Sequence, residues 1–516
     1  MSDSKEGDGS LPAVRVAAGS AHRTDANAVA DAAREGAETS TVRRTGSTGV
    51  EALEPLLVVT TDDGTAFYAA PSHDRAGEIV SAAESGEFAE DADAIVEGEE
   101  GTPDEDGALP TPEEGPLSVG RRRALGRCGW VDPSEPPTDS LLEAVREDPD
   151  DVREGMHKLG LLGRGRGDAR SDRSIAEGWE EARDVEGDPV LVVNANDADE
   201  RNRTDRTLLE GDAGGVVDAA MAVGHLLDAE DVVVYAEEES LGTERLSRAI
   251  SRYREAHGEA PQLAVGPERF IAGEPTMALE SLEGNDRLEA RLTPPGPETH
   301  GLYGRPTVIH TPRTLLQVRE VIRNPDGFDA DDADPGTRLV TVAGDVDAPA
   351  TVELSTGSSM RTATDAVDHD SVKMAVVGGQ FGGFTRRLDH TYSAPALDGA
   401  GLGSEGVIEL FGEDRCALAA VGDRANFASQ ENCGRSGPCR EGTKQMTDLL
   451  RQIYSGKYKD DMLRELTRTM QNSSMCHFEE SAARTVETAM SAFDREFAAH
   501  ADGRCPSGEC DGQSLQ

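Results

Sequence analysis

The chain has 516 residues, enough for three or four domains with sizeable cores. Acidic side chains number 99 against 51 lysines and arginines, so the formal net charge is −48, and nucleic acid and anionic membranes are disfavoured as direct partners. Because a folded chain this acidic repels itself unless salt screens it, the composition predicts a halophilic protein.

Hydropathy and cysteine usage together predict a cytoplasmic chain. No apolar run reaches the length needed to span a bilayer, and residues 1–20 lack the apolar core of a signal peptide. The cysteines number seven, an odd count, and all but Cys128 follow residue 415. This distribution favours metal binding over a disulfide framework.

The N-terminal part is predicted to be only partly ordered. Residues 1–48 are rich in small and polar side chains without periodicity, which predicts a disordered tail. Two strand patterns, residues 56–60 and 65–69, flank an Asp-Asp-Gly turn and predict a hairpin. Residues 91–117 are acidic and proline-rich and predict a linker. Residues 49–117 are therefore interpreted as a small α+β module that ends in this linker.

Residues 118–335 alternate buried-strand and amphipathic-helix patterns. Strand patterns fall at 189–193 and 232–235, and helix patterns fall at 214–227 and 244–256. This alternation is typical of a parallel sheet flanked by helices, so the region is predicted to be an α/β domain.

Three loops of this region are candidate ligand sites. Leu162–Gly167 is glycine-rich and able to wrap a phosphate, but Asp168 and the lack of a preceding strand depart from the dinucleotide fingerprint. A plain flexible loop is the alternative. Residues 194–200 and Gly273–Thr276 follow strand patterns, where parallel sheets bind ligands. Their alternative interpretation is that they are solvated acidic loops.

The C-terminal part is predicted to contain a β-rich unit followed by helices. Short strands and glycine turns predict a small β-rich domain over residues 336–392. Residues 393–500 hold two apolar helical faces, which predict a bundle packed around cysteines. The tail, residues 501–516, carries Cys505 and Cys510, which are either a second partial metal site or part of a frayed end.

The segment Glu431–Thr443 is the strongest candidate for chemistry. Cys433 and Cys439 lie in a Gly/Pro-rich loop predicted to be non-helical, and Cys476 opens a later helix. Two thiols on one loop and one on a later turn are typical of iron–sulfur ligation. Ser436 lies midway, where a Cys-x2-Cys-x2-Cys pattern would place another thiol. Buried free cysteines and a zinc site completed by His477 are the alternatives.

These motifs resemble those of the NADH-oxidising flavoprotein subunit of respiratory complex I and of soluble NAD-linked hydrogenases. The resemblance covers roughly residues 118–500 and is most specific at four segments, namely Cys433–Thr443, Ala278–Gly284, Gly301–Gly304 and Asp205-Arg206. It implies a Rossmann-like FMN-binding domain, a ubiquitin-like β-grasp domain that binds soluble ligands, and a four-helix iron–sulfur domain. The implied reaction passes electrons from NADH through FMN and a [4Fe–4S] cluster to a thioredoxin-like iron–sulfur partner.

The resemblance also implies site residues. The implied cofactor-binding residues are Gly163, Arg164, Gly165, Asn194, Asn196, Asp197, Asp199, Gly273, Glu274, Thr276, His310 and Thr311. The implied metal ligands are Cys433, Ser436, Cys439 and Cys476, and three firm thiols make a [3Fe–4S] cluster the alternative.

Several positions depart from the family's pattern. Ala169 stands where an aromatic ring would stack on nicotinamide, Thr293 replaces a lysine, and His310-Thr311 replace two asparagines that hold the flavin phosphate. Arg166 and Asp168 interrupt the flavin loop. Together with the acidity, these departures indicate a degenerate member of haloarchaeal type. Two hypotheses follow: a working electron-transfer subunit, or a catalytically impaired paralogue that serves as a binding or assembly module.

Overall fold

The computed structural model describes residues 11–98, 101, 107–473 and 475–510, which form three sheets and a C-terminal layer of helices. The strands are β1 (Ala13–Ala17), β2 (Thr41–Thr45), β3 (Leu56–Thr61), β4 (Gly64–Ala69), β5 (Ala94–Glu97), β6 (Val190–Ala195), β7 (Asp231–Glu237), β8 (Gln262–Gly266), β9 (Thr307–His310), β10 (Thr337–Gly344), β11 (Ala350–Ser355), β12 (Val372–Val377), β13 (Gly383–Thr385) and β14 (Val407–Gly412). The α-helices are α1 (Arg23–Gly36), α2 (His73–Glu84), α3 (Leu141–Glu147), α4 (Pro149–Leu159), α5 (Ile175–Asp184), α6 (Thr204–Leu226), α7 (Leu241–His257), α8 (Pro275–Leu282), α9 (Pro297–His300), α10 (Pro312–Arg323), α11 (Arg361–Thr364), α12 (Ala394–Gly399), α13 (Ala417–Glu431), α14 (Gly437–Ile453), α15 (Asp460–Asn472), α16 (His477–Ala492) and α17 (Asp494–Ala501).

The N-terminal module is built on the sheet β2-β1-β3-β4-β5, in which β1 and β2 are parallel and the other neighbours are antiparallel. The predicted hairpin is present as β3 and β4. The predicted disordered tail is wrong from residue 11 onward, and the first ten residues lie outside the described part. Small residues suffice for this core because α1 and α2 pack closely: a Cβ on Gly36 would lie 2.5 Å from the Cα of Gly77.

The predicted acidic linker is also wrong over part of its length. Its residues 94–97 form β5, which pairs with β4 and turns Ala94 and Val96 toward the hydrophobic core. Further along, Leu109 and Leu117 are buried in the same core. Four apolar side chains are enough to anchor a stretch whose overall composition is acidic.

The second sheet, β8-β7-β6-β9, is parallel throughout and confirms the predicted helix-flanked sheet. Successive residues of β6 enter two different hydrophobic cores, so both faces of the sheet are covered and residues 190–193 of the strand are all apolar. Val193 of β6 pairs with His310 of β9, so the carboxyl ends of the two strands meet at one edge. Ligands of parallel sheets bind at such an edge.

The third sheet has the order β11-β10-β14-β12-β13, with β10 and β14 parallel at its centre. This is the β-grasp arrangement that the resemblance implies. The predicted domain end at residue 392 is wrong, because it would remove the central strand β14, residues 407–412. A single strand pattern before helices gave no sign that it pairs with strands earlier in the chain.

Helices α13 to α17 pack around a separate core that contains Met446, Leu450, Met490 and Phe497. Both predicted apolar helical faces point into this core. None of the described helices is long and apolar enough to cross a membrane.

Candidate functional site

The glycine-rich loop lies between α4 and α5 and meets the N-terminus of α10. Within it, Oδ2 of the buried Asp168 accepts hydrogen bonds from the backbone N–H groups of Gly165 at 2.8 Å and Arg164 at 3.0 Å. The Thr311 N–H donates to Oδ1 at 2.9 Å, and the hydroxyls of Thr311 and Thr314 lie 3.1 and 2.9 Å from Oδ2. A glycine loop and a helix N-terminus thus form an anion cradle, and Asp168 fills it.

His310 supplies a sixth donor to this carboxylate. The Trp179 Nε1–H can only donate, and it lies 2.7 Å from Nε2 of His310. The proton of the neutral imidazole is therefore on Nδ1, which lies 3.3 Å from Oδ1 of Asp168. Burial alone would raise the pKa of Asp168, but the bond from His310 and the N–H donors outweigh it and hold this pKa below its ordinary value.

These contacts decide whether a flavin phosphate fits the loop. A phosphate would need the same N–H and hydroxyl donors that Asp168 already takes, and a second negative charge in a buried cradle is repelled. The surviving glycine serves packing instead, since a Cβ on Gly165 would lie 3.1 Å from the guanidinium of Arg313. The loop as it stands does not fit the phosphate of FMN.

Arg164 and Gly163 lie in the loop but face other groups. The Arg164 guanidinium forms a buried ion pair with Asp334, which also accepts a 2.6 Å bond from Arg338. Burial would raise the pKa of Asp334, but the two guanidinium groups lower it well below its usual range. The Gly163 N–H donates to the carbonyl of Arg173. Both predicted residues therefore hold the loop in place.

The two predicted asparagines end up beneath the loop. Nδ2 of Asn194 donates to the carbonyls of Gly167 and Gly273, both at 3.1 Å, and Nδ2 of Asn196 donates to Pro267. The Oδ1 atoms of both asparagines are buried without a partner among the described residues. These two oxygens mark the places beside the loop where a donor, such as water, would be accommodated.

Both predicted aspartates are held by contacts within the chain, and Asp199 joins the parallel-sheet domain to the β-grasp domain. Asp197 accepts bonds from Arg166 and Arg313, each at 3.1 Å. Asp199 accepts a 2.8 Å bond from the backbone N–H of Gln380 in the β-grasp domain, and burial raises its pKa. Both carboxylates are thus committed to contacts within the chain.

A cleft of about 480 Å³ opens beside the loop and reaches Cys476, one of the three predicted thiols. Its lining includes Ala169, Glu274, Thr276 and Cys476. Glu274 caps α8 by accepting the Met277 N–H at 2.9 Å and accepts the Thr276 hydroxyl at 2.6 Å; burial raises its pKa. The positions that the resemblance assigns to nicotinamide contacts therefore line one cleft, without an aromatic ring at 169.

Cys433, Cys439 and Cys476 are neighbours in the structure, and two of them lie at helix N-termini while Cys433 follows the end of α13. Cys439 lies in the first turn of α14, and Cys476 is the N-cap of α16. Burial raises the pKa of Cys439, and negative charge on Glu479, Cys476 and Cys433 raises it further, so these groups are close neighbours. Helix N-termini stabilise thiolates, which suits an anionic cluster.

Ser436, predicted as the fourth ligand, is the N-cap of α14. Its Oγ accepts the Cys439 N–H at 3.3 Å and lies 3.1 Å from a carboxylate oxygen of Glu479. The prediction that this whole segment is non-helical is wrong from Gly437 onward. Pro438 is compatible with the helix because the first turn needs no N–H from it.

A second group of potential ligands lies elsewhere in the helical domain. The ligand atoms of Cys416, His500, Cys505 and Cys510 all lie within 4.8 Å of one another, and no other such group is found among the described residues. By the same measure the predicted thiols Cys433, Cys439 and Cys476 do not all lie within 4.8 Å of one another, with or without His477. His477 is exposed, and its Nδ1 lies 3.7 Å from Glu480. The tail is likewise not frayed up to residue 510.

This group, the Cys416/His500/Cys505/Cys510 group, is well ordered for metal binding. Nδ1 of His500 donates to the carbonyl of Glu496 at 2.7 Å, so the lone pair of Nε2 is available to a metal ion. Nε2 lies 3.3 Å from Sγ of Cys416. Cys416 is the N-cap of α13, and its N–H donates to the carboxylate of Glu509. Three thiols and one imidazole are a typical tetrahedral zinc set. Sequence reasoning missed Cys416 and His500, which no short motif connects.

Two family models match the chain. The Nuo51 FMN-binding domain matches residues 156–320, and the NADH-ubiquinone oxidoreductase-F iron-sulfur binding region matches residues 419–500. The chain therefore resembles this family in its parallel-sheet domain and in its C-terminal helices.

Named relatives and solved structures agree with these matches. The HndC subunit of the NADP-reducing hydrogenase of Solidesulfovibrio fructosivorans is 27% identical over 75% of this chain and 85% of its own length. An NADH-quinone oxidoreductase subunit of Streptomyces coelicolor is 28% identical over 71% of this chain and 87% of its own. A chain of an NAD+-reducing [NiFe]-hydrogenase, 20% identical, shares the fold with a TM-score of 0.65 over 96% of this chain and 85% of that one. The chain thus resembles the NADH-oxidising flavoprotein subunits of complex I and NAD-linked hydrogenases, which carry FMN-binding and [4Fe–4S]-binding regions.

Proposed function

We propose that the chain is an electron-transfer subunit that holds an iron–sulfur cluster on Cys433, Cys439 and Cys476, with Ser436 at the fourth corner. The observation that supports the proposal is that three thiols are neighbours, with Cys439 and Cys476 at helix N-termini and Cys476 on an open cleft. Such a cluster, when bound, exchanges single electrons with a partner. The chain's own residues orient the thiols, shield them from water and offset their negative charge through the helix N-termini.

NADH oxidation by the isolated chain is proposed to be weak or absent. The resemblance implies contacts with nicotinamide in the cleft at four positions, Ala169, Pro275, Thr293 and Gly296. None of these residues supplies an aromatic ring or a charge. Polar and stacking contacts each contribute about 1 kcal/mol, so their joint loss lowers nucleotide affinity by several kcal/mol. We therefore propose that hydride transfer from NADH is impaired, whereas the iron–sulfur cluster still transfers electrons.

Anaerobic reconstitution tests the cluster. We expect bound iron with acid-labile sulfide, and a more stable four-iron electron paramagnetic resonance signal in Ser436→Cys than in wild type. Cys439→Ser should lose iron, whereas Cys128→Ser, which alters a remote buried thiol, should keep it. A reconstituted chain without iron and sulfide would exclude the cluster. Turnover of NADH with ferricyanide in the ordinary enzymatic range of about 1–10³ s⁻¹ would exclude the impaired hydride step.

We propose a redox partner from the relatives and a cellular compartment from the composition. The named relatives are subunits of a hydrogenase and of an NADH-quinone oxidoreductase, which supports a redox partner such as a thioredoxin-like iron–sulfur subunit. The net charge of −48 supports a cytoplasm rich in salt.

We further propose that the Cys416/His500/Cys505/Cys510 group binds a structural zinc ion. A closed four-ligand set without an open position holds structure rather than activating water. The ion would join the start of α13 to the C-terminal tail and so fix the end of the helical domain that carries the cluster.

A further inference from the structure

We propose that Asp168 is an internal substitute for a ligand phosphate, so that the chain closes its own flavin loop with a carboxylate. The proposal concerns the cradle alone and does not depend on the iron–sulfur centre. It also separates two properties that the family match joins: the chain resembles an FMN-binding domain, and its phosphate position is already occupied.

The first argument is the number and kind of the donors. Six N–H and O–H groups surround one carboxylate that is 3% exposed. Three of them are backbone N–H groups from the glycine loop and the helix N-terminus, the combination that binds phosphates in nucleotide-binding domains. A carboxylate exposed to water would be hydrated and would not need six protein donors. The carboxylate therefore occupies a position built for an anion.

The second argument is a further closure by Arg166. Its guanidinium carbon lies 4.0 Å from the ring centroid of Phe270, and its nitrogens donate to the carbonyl of Phe270 at 2.9 Å and to Asp197 at 3.1 Å. Two cavities adjoin this side chain: one of about 30 Å³ beside Phe270, room for one or two waters, and one of about 350 Å³ that Ser404 and Arg484 also line. Small-molecule pockets usually measure about 300–1,000 Å³, so with Arg166 in place a flavin ring has no room in the cavity beside Phe270.

If Asp168 and Arg166 fill the flavin site, removing their side chains should restore ligand binding. Removing the Asp168 side chain leaves the six donors without an acceptor, and buried donors of this kind gain strongly from any anion that reaches them. The neighbouring cleft of about 480 Å³ gives such an anion a path to the cradle. Asp168→Gly should therefore create a phosphate site, and removal of the Arg166 side chain as well should make room for the ring of FMN.

The experiment uses the full chain in molar KCl with inorganic phosphate and FMN as probes. Melting temperature is followed against phosphate at constant ionic strength, and FMN binding is followed by fluorescence quenching. We expect neither ligand to bind wild type saturably. Asp168→Gly should melt lower and be restored by phosphate, with binding at least about tenfold tighter than in wild type. The double variant Arg166→Gly/Asp168→Gly should in addition quench FMN.

Site specificity is checked by Asp168→Gly/Thr314→Val, which removes one hydroxyl donor of the cradle and should weaken the gained phosphate binding. Asp286→Asn, an exposed acid, controls for the loss of one charge. Saturable one-to-one quenching of FMN by wild type would overturn the proposal whatever the variants do. A folded Asp168→Gly chain indifferent to phosphate would overturn it, and so would an unfolded one that phosphate does not rescue.

Discussion

Removing the metal from the Cys416/His500/Cys505/Cys510 group should destabilise the chain measurably. One ion on these ligands links the start of α13 to the tail and closes a loop on the order of 85 residues. By the loop-closure relation for covalent cross-links, such a link stabilises the fold by about 4–5 kcal/mol at most. The remaining contacts of the tail, an Arg415–Glu509 ion pair at 3.1 Å and the buried ring of Phe497, persist without metal. The loss should therefore stay below that ceiling.

The assay is urea denaturation in molar KCl with and without a zinc chelator, together with zinc and iron analysis of the same samples. Wild type should contain zinc and lose stability on chelation while its iron content stays constant. Cys510→Ser should start at the lower stability and respond little to chelator, because its fourth ligand is already gone. Wild type without zinc, or with an unchanged urea midpoint after chelation, would refute the reasoning.

Three further outcomes follow from burial and charge. Burial raises the pKa of Glu405 to about 7, so the folded state holds a proton more firmly than the unfolded one and stability falls as pH rises from about 4.5 to 7. Glu405→Gln should remove up to about 3 kcal/mol of this pH dependence in urea midpoints compared at pH 5 and 8; an unchanged slope would contradict it. Asp212→Asn leaves the buried Arg127 and Arg319 without their shared counter-charge and should cost about 3–5 kcal/mol in the same assay, against little for the exposed control Asp286→Asn. Finally, circular dichroism during desalting should show loss of the cooperative melt, and persistence of that melt in dilute buffer would contradict the halophilic interpretation.

Regular periodicity accounts for the parts of the fold that sequence analysis predicted. The runs at 189–193 and 232–235 became β6 and β7 because a covered parallel sheet needs apolar residues at every position. The N-terminal tail was mispredicted because its core uses alanine and glycine, which composition alone does not distinguish from disorder. The place of β14 was not predictable from local pattern, since its partners β10 and β12 lie 30 or more residues away in the chain.

The candidate sites divide in the same way. The thiols at 433 and 439 were predicted as ligands from one shared loop, a local feature, and Cys476 was predicted from its place at the start of a later helix. The Cys416/His500/Cys505/Cys510 group was only half identified, since the fold alone brings Cys416 and His500 to the tail. Asp168 was recognised as an interruption of the flavin loop but not as its occupant, because its partners Thr311 and Thr314 come from a distant helix.

The charges around the flavin loop explain why one substitution would not restore a flavin site. Arg166 is one of two guanidinium groups on Asp197, and the other, Arg313, also pairs with Asp205 at 2.6 Å. Loss of Arg166 therefore leaves Asp197 still paired, whereas loss of Asp168 leaves six donors without an acceptor at once. The carboxylate is the structural centre of the closed loop, and the arginine covers space that the closed loop no longer needs. Removing Arg166 alone would therefore make room for a flavin ring, but Asp168 would still hold the donors that the flavin phosphate needs.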